Sequence, residues 1–415
     1  MMLNEHPTKD IPDIVVVGGG PAGSFVAFCL GQLGAKVTVF EEHPAIGFPS
    51  HCAGHLSIRG LTELGLYPLP KKIVENEFSR ARFFSPSGFE FSVGLNKPVT
   101  CAVNREAFDQ YLSNNAIRAG AQLSLNSRVQ SLVNQNGFAK GLRIRQANEA
   151  EKIVSAKIVV DAEGISSRML RQAGLISLNR NKLVHAVQAE VENVKDVEMD
   201  AVEVFLGKEY APGFYAWIIP RLDGSAKVGL ATEAGDPREF LRRLMQKHPI
   251  ASKQLGKARV TRMAFHPISL GGPISRAYSN GFLAVGDVAS QVKSTTGGGV
   301  ILGLTCAKIA AEVAFEAIRR NDCSANQLES YQKRCKGALG FDVGVMLRMR
   351  SFLDRLSDFR LESAMRFCSK IGMGESLRDV DEIDFQGQTL MKVLKKPVAF
   401  PVLAYFFMLF LSANL

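Results

Sequence analysis

The stretch Ile14 to Ser24, IVVVGGGPAGS, constrains the fold more than any other part of this 415-residue chain. Its branched apolar residues suit a parallel strand buried on both faces over 13–17. Pro21 to Leu33 then reads as a helix that opens on the small residues Ala22, Gly23 and Ser24. Gly34 closes it, and Lys36 to Phe40 (KVTVF) supplies a second strand. This is a βαβ unit. Its turn spells G-x-G-x-x-G as Gly18, Gly20 and Gly23. Gly18 permits the tight bend, Gly20 lets the backbone approach a pyrophosphate, and Gly23 lets helix and strand pack closely. The open N–H groups and the positive end of the helix dipole then hold phosphates. Glu41, at the end of the second strand, is placed to accept hydrogen bonds from a ribose. An acid there repels a 2′-phosphate, which leaves FAD or NAD and disfavours NADP.

A second glycine turn chooses between these two. GFLAVGDVAS (281–290) places Asp287 after a buried strand, and TTGGGVILGL (295–304) leads glycines into a long helix. One Rossmann turn already serves the phosphates. A second, far away in sequence, suits a cofactor that also has a flavin and a ribityl chain to hold, so FAD is expected. Asp287 can accept from a ribityl hydroxyl or cap a helix. Gly297, Gly298 and Gly299 leave room for the pyrophosphate and the ring.

Between the turns, Arg105–Arg118 reads as an amphipathic helix with Phe108, Leu112 and Ile117 on one stripe. AKIVVDAEG (156–164) reads as a further buried strand that ends in an acidic turn. HAVQAEVENV (185–194) and AVEVFLG (201–207) alternate as an antiparallel sheet with one wet face. Beyond 318 the pattern is helical. The fold class expected is α/β, with a discontinuous Rossmann-like FAD domain over 10–80, 100–178 and 276–325. An antiparallel-sheet substrate domain takes 81–99 and 179–275, and a helical region takes 326–415. The net charge of +10 favours an anionic partner. No basic stripe is interleaved with aromatics, so nucleic acid is set aside. The seven cysteines form no CxxC pair, and His51 and His55 around Cys52 lack further ligands, so no metal is expected. Asp379, Asp381, Glu382 and Asp384 read as a solvated turn. The N-terminus has no apolar h-region. VAFPVLAYFFMLFL (398–411) is too short for the ~18–20 residues of a bilayer span and contains Pro401. An interfacial segment or a lid over an apolar pocket fits it better.

The ordered motifs also resemble a family. Gly18, Gly20, Gly23 and Glu41 are followed by Asn104-Arg105 before a helix. Asp161-Ala162-Glu163-Gly164 with Ser167 and Arg168 comes next, then Gly286-Asp287 with Gly297 to Gly299. This set resembles the flavoproteins that include the aromatic hydroxylases. PSHCAGHLS (49–57) and GFYAWIIPRLDGSAKVGLA (213–231) resemble the geranylgeranyl reductases within that group, the second through Tyr215, Trp217, Pro220 and Val228-Gly229. The match spans most of 10–325. It departs where relatives carry Asp-Gly (here Glu163-Gly164), which changes the contact of that turn, and where they carry Cys-Gly-Glu-Gly (here Cys52-Ala53-Gly54-His55) and Phe-Pro (here Ile219-Pro220), which bear on substrate preference.

The resemblance implies an FAD-dependent reductase that saturates geranylgeranyl chains in membrane-lipid precursors, either a prenylated lipid or geranylgeranyl diphosphate. It implies a cofactor site that also draws on Cys52, Ala53, Arg105, Val129 and Val300. Tyr215, Trp217 and Pro220 would be on the substrate side. Cys52 would lie by the flavin, either to transfer a proton or only to shape the pocket. The single Trp of the chain falls in the substrate motif. No further Rossmann turn marks a nicotinamide site, so the electron donor is external, NAD(P)H or a ferredoxin-like protein. Charge and tail together suggest a cytoplasmic protein, peripheral at the inner face of the cell membrane. A flavin monooxygenase and a non-catalytic prenyl-binding escort protein remain the alternatives, since one fold hosts many reactions.

Overall fold

The computed structural model describes residues 12–146 and 150–397, together with Pro401 and Tyr405. Apart from those two residues, the apolar run 398–411 lies outside the described residues. The strand Ile14–Val17 is buried at every position, as its unbroken apolar run requires. It pairs in parallel with Val37–Phe40 on one side and Ile158–Asp161 on the other. Gln122–Ser124 and Phe282–Ala284 extend this parallel sheet at either end, and Tyr278–Ser279 adds an antiparallel edge. The helix Pro21–Gln32 opens on proline at its first position, where no N–H is needed, and buries Phe25, Val26, Ala27 and Leu30. Gly34 then turns the chain at φ +84°.

The helix Arg105–Arg118 forms as expected, but its buried stripe differs. Phe108, Leu112 and Ala116 face inward, whereas Ile117 is 46% exposed. Ala116, not Ile117, completes the i, i+4, i+8 row from Phe108.

The second sheet has seven strands in the order Arg259–Ser269, Leu183–Glu192, Ala226–Thr232, Tyr215–Pro220, Ala201–Leu206, Arg80–Phe84 and Glu90–Gly94. All neighbours are antiparallel except Ala201–Leu206 with Arg80–Phe84. One face packs Val187, Ile218, Val228 and Leu230 against the helices Pro237–Lys247 and Ala251–Leu255. The other face is not wet, which corrects the expectation from the alternating pattern. Ala226–Thr232 is buried at every position, and Ala186, Val202, Trp217 and Ile219 look into a large cavity. Two smaller antiparallel sheets follow: the one over 127–155 packs on the parallel-sheet half, and the one over 55–103 reaches the second sheet through Phe78 and Asn76. The helix Val300–Arg319 lies against Pro21–Gln32 and is followed by the 31-residue helix Ala325–Arg355, then Asp358–Lys370 and Gln386–Leu394.

Candidate active site

A cavity of about 1360 Å³ opens at the carboxyl ends of the parallel strands, where Val17, Glu41, Ala162 and Val285 line it. This is where open α/β sheets bind their ligands. Gly18 (φ +93°) and Gly20 line it at the start of the first helix, which carries no side-chain cap. Gly23 does not line it. A Cβ there would stand 2.0 Å from the Gly18 carbonyl oxygen, so its task is helix packing. Glu41 follows directly on the second strand. Its Oε2 accepts the Gly19 N–H at 2.7 Å, so the acid also pins the glycine turn.

The second glycine turn reaches the same cavity. Gly297 (φ +70°), Gly298 and Gly299 line it ahead of Val300, the first residue of a helix that also lacks a side-chain cap. Gly286 packs between the two helices: a Cβ on it would lie 3.0 Å from the Cβ of Ala22 in the first, and a Cβ on Gly303 of the second would lie 3.5 Å from the Gly286 Cα. Asp287 sits in a short turn over Gly286–Ala289, caps neither that turn nor the following helix, and lines the cavity. This favours its ligand-facing reading over the capping one. Val129 lines the cavity from the strand Ser127–Gln135.

Cys52, Ala53 and Arg105 form the next part of the wall. The Gly54 N–H points at Cys52 Sγ, 3.5 Å away. Arg105 makes a two-pronged pair with Asp109, at 3.0 and 3.1 Å, and lies beside Cys52. Burial opposes the Arg105 charge, but Asp109 and Cys52 outweigh it and hold the guanidinium protonated. His51 stacks on His266, with ring centroids 3.9 Å apart. Burial, then His266 and Arg105, pushes the His51 imidazole down to about 4.

The acidic turn 161–164 points inward. Asp161 is fully buried, its Oδ1 accepts the Glu163 N–H, and burial followed by Glu163 raises its carboxyl well above the ordinary range. Glu163 accepts the Met169 N–H at 2.7 Å and pairs with Arg168. The longer acid therefore caps the short helix Arg168–Gln172.

Tyr215 and Trp217 line the cavity from one strand, and the Tyr215 hydroxyl donates to the Thr296 carbonyl at 2.8 Å. Trp217 lies over Gly229, its cross-strand partner: a Cβ on Gly229 would meet the indole at 2.5 Å. That gives the Val228-Gly229 motif a physical reason. Pro220 does not line the cavity. Its neighbour Ile219 does, and the Pro220 carbonyl accepts from Asn76 instead.

Several wall residues were not anticipated. Asp379 is exposed as expected, but Glu382 and Asp384 are 3% and 1% exposed, which corrects the reading of this turn as solvated throughout. Lys293 Nζ pairs with Asp384 Oδ1 at 2.5 Å, and Arg59 pairs with Glu382 at 3.3 Å. Thr295 donates to Gln386 at 2.6 Å. This C-terminal segment walls the cavity through Glu382, Ile383 and Gln386, beside the second glycine turn. Met349, Arg350 and Leu353 of the long helix also line it.

His55 carries a testable pH dependence. Its Nε2 is 2.7 Å from the Thr100 hydroxyl, and its ring packs edge-on against Phe78. Burial, and then the charge of Lys293, pushes the imidazole down to about 4. In the unfolded chain it titrates near 6.5. As pH falls from 6.5 to 4, the unfolded chain takes up a proton that the folded one refuses. The stability is thus present at pH 7 and lost as pH falls through this window, by at most about 3 kcal/mol. Urea denaturation at pH 7, 5.5 and 4 should show the loss, and His55→Asn should flatten the slope. An unchanged slope assigns the acid sensitivity elsewhere.

A cavity of this size exceeds what a nucleotide alone needs. Two uncapped helix N-termini, two glycine turns lining one cavity and a ribose-side acid fit FAD. The family model described as FAD binding domain matches residues 12–338, a span that includes both turns. Digeranylgeranylglycerophospholipid reductase 2 of Methanopyrus kandleri is 34% identical over 93% of this chain and 96% of its own length. The chain belongs to the digeranylgeranylglycerophospholipid reductase family. The reductase of Methanocaldococcus jannaschii is 32% identical over 94% of this chain and 96% of its own. The crystal structure of a geranylgeranyl bacteriochlorophyll reductase-like protein from Thermoplasma acidophilum superposes with a TM-score of 0.85 at 28% identity, covering 95% of this chain and 99% of that one. This member of the reductase family is an oxidoreductase with FAD as its cofactor.

Proposed function

We propose that this reductase saturates isolated double bonds of geranylgeranyl chains in membrane-lipid precursors, working as a peripheral protein at the cytoplasmic face of the membrane. The observation that carries the reading is continuity: one cavity is lined both by the glycine turns and by Phe78, Phe83, Val204, Phe214 and Trp217, and Phe214 lies against Gly297 of the second turn. When bound, reduced FAD supplies the hydride. Gly18, Gly20, Glu41, Val129, Asp287 and Gly297 to Val300 would hold it, with Ala53 and Arg105 alongside. An isolated alkene has no carbonyl to take up charge, so the chain has to be held at about 3–3.5 Å from the donor. Tyr215 and Trp217 would do this, and the apolar wall keeps water out. Cys52 Sγ, beside Arg105 and facing the Gly54 N–H, would either hand on a proton or shape the pocket. Reducing equivalents would come from an external donor, NAD(P)H or a ferredoxin-like protein. Residues 10–80, 100–178 and 276–325 would form the cofactor domain and 81–99 and 179–275 the substrate domain. The C-terminal region closes the cavity over both.

Expression beside a geranylgeranyl-lipid pathway, followed by mass spectrometry of the lipids, tests the reading. The expected result is a gain of two hydrogens' mass per saturated bond under anaerobic conditions. Unchanged lipids beside a reducible flavin would sink it, and a hydroxylated aerobic product would favour a monooxygenase. Trp217→Ala should lower kcat/KM by about 10–100-fold, the worth of a large apolar contact, while flavin absorbance stays. Loss of the flavin instead would move this strand to the cofactor side.

A further inference from the structure

We propose that the rim formed by the end of the helix Ala325–Arg355 and the start of Asp358–Lys370 is the face on which the protein docks to an anionic lipid bilayer. The inference rests on the prenyl-chain reading above. Met349 and Leu353, one helical turn apart, both line the cavity and are 37% and 40% exposed, so they stand at its mouth. Asp358 lines it next, and the following residue, Phe359, is 81% exposed, the most exposed large apolar side chain among the described residues. Single exposed apolar residues are ordinary. Two of them at the lip of an apolar cavity, with Phe359 one residue beyond its lining residue Asp358, mark a contact surface.

The charges select the kind of surface. From 348 to 360 the chain carries Arg348, Arg350, Arg355 and Arg360 against Asp354 and Asp358. Both acids are engaged: Asp354 pairs with Arg350 at 2.6 Å, and Asp358 accepts the backbone N–H groups of Lys208 and Glu209. Four arginines against two aspartates leave the rim net positive even with Lys208 and Glu209 both exposed beside it, and Arg348 is exposed, as an anionic leaflet requires. A second observation points the same way. Tyr405, in the middle of the apolar run 398–411, stacks on Phe367 of the helix that carries Phe359, with ring centroids 4.3 Å apart. Geometry adds a reason. A geranylgeranyl chain drawn from a bilayer into a cavity that opened elsewhere would expose every methylene to water on the way. A mouth seated on the membrane removes that barrier.

The test uses the full-length, FAD-loaded protein with vesicles of phosphatidylglycerol and phosphatidylcholine, compared with phosphatidylcholine alone. Flotation should show binding to the anionic vesicles only, weakening as salt rises. Phe359→Ser should lower partitioning about tenfold or more, and Arg348→Glu about fivefold or more, both with wild-type melting temperatures. With geranylgeranyl diphosphate dispersed in detergent and dithionite as reductant, Phe359→Ser should turn over like the wild type. Wild-type protein that ignores anionic vesicles, or both variants binding as the wild type does, overturns the proposal. So does a dimer in sedimentation velocity that Phe359→Ser dissociates, since a second copy then covers the rim. Wild type that binds vesicles yet saturates no chain in detergent counts against the reductase reading and leaves the docking face standing.

Discussion

Replacing Lys293 by methionine is expected to destabilise the protein by about 3–5 kcal/mol, the usual cost of removing one partner of a buried ion pair. Lys293 and Asp384 have side chains only 11% and 2% exposed. Asp384 Oδ2 has no partner among the described residues, so its carboxylate depends on this ammonium. Glu382 offers no relief. It is itself buried, and its Oε1 already accepts the N–H groups of Asp384 and Phe385 at 2.6 and 3.0 Å. Without the lysine, a carboxylate is left in a wall that water does not reach. Urea denaturation of the FAD-loaded variant checks this. The double variant Lys293→Met, Asp384→Leu should recover most of the loss, because an apolar pair of similar volume carries no desolvation cost. A single variant within about 1 kcal/mol of the wild type would mean that the segment holds the wall by Thr295–Gln386 and its packing instead.

The parts of this fold legible in the sequence are those whose determinants are local. The first βαβ unit announces itself because an all-buried parallel strand needs an unbroken apolar run and its phosphate turn needs glycines. Asp287 and the second glycine turn were legible for the same reason. The inner face of the seven-stranded sheet was not. Gln188, Ala186 and Trp217 look like residues of a half-wet surface, yet they wall a cavity. A period of two says which residues share a face and nothing of what lies opposite. In the acidic turn, Asp379 is solvated as its sequence suggests, but Glu382 and Asp384 are not. Glu382 and Asp384 are buried by partners at Arg59 and Lys293, more than 300 and about 90 positions away, and four acids within six residues look like solvent-facing charge until those partners are seen. Ile117 was misplaced by one position because Ala116 is small enough to escape a count of bulky residues.

Gly23→Ala should empty the flavin site, weakening FAD by at least about 100-fold, or about 3 kcal/mol. The added methyl would sit 2.0 Å from the Gly18 carbonyl oxygen and 3.2 Å from Val16 Cγ1. Neither group is free to yield. The Gly18 N–H donates to the Phe40 carbonyl at 2.8 Å, which fixes the turn to the sheet, and Val16 is in the central strand. The helix start is equally tied, with Ser24 donating from its N–H to the Gly20 carbonyl and from its Oγ to the Gly19 carbonyl. Relief of the overlap therefore moves the helix bodily off the strand and carries its N–H groups away from the place where a pyrophosphate would lie. Overpacking of this kind also costs about 1–3 kcal/mol of stability, so a fall in FAD affinity alone would be ambiguous. Gly20→Ala separates the two effects. Nothing lies within 4 Å of a Cβ at Gly20, whose backbone is extended at φ −66° and ψ −176°. That variant should fold with wild-type stability and still bind FAD more weakly, because its methyl intrudes only on the cofactor. Titration of apoprotein with FAD, beside urea denaturation without it, measures both quantities. Wild-type FAD affinity in both variants would mean that the phosphates are held elsewhere in the cavity and that the first glycine turn serves packing alone.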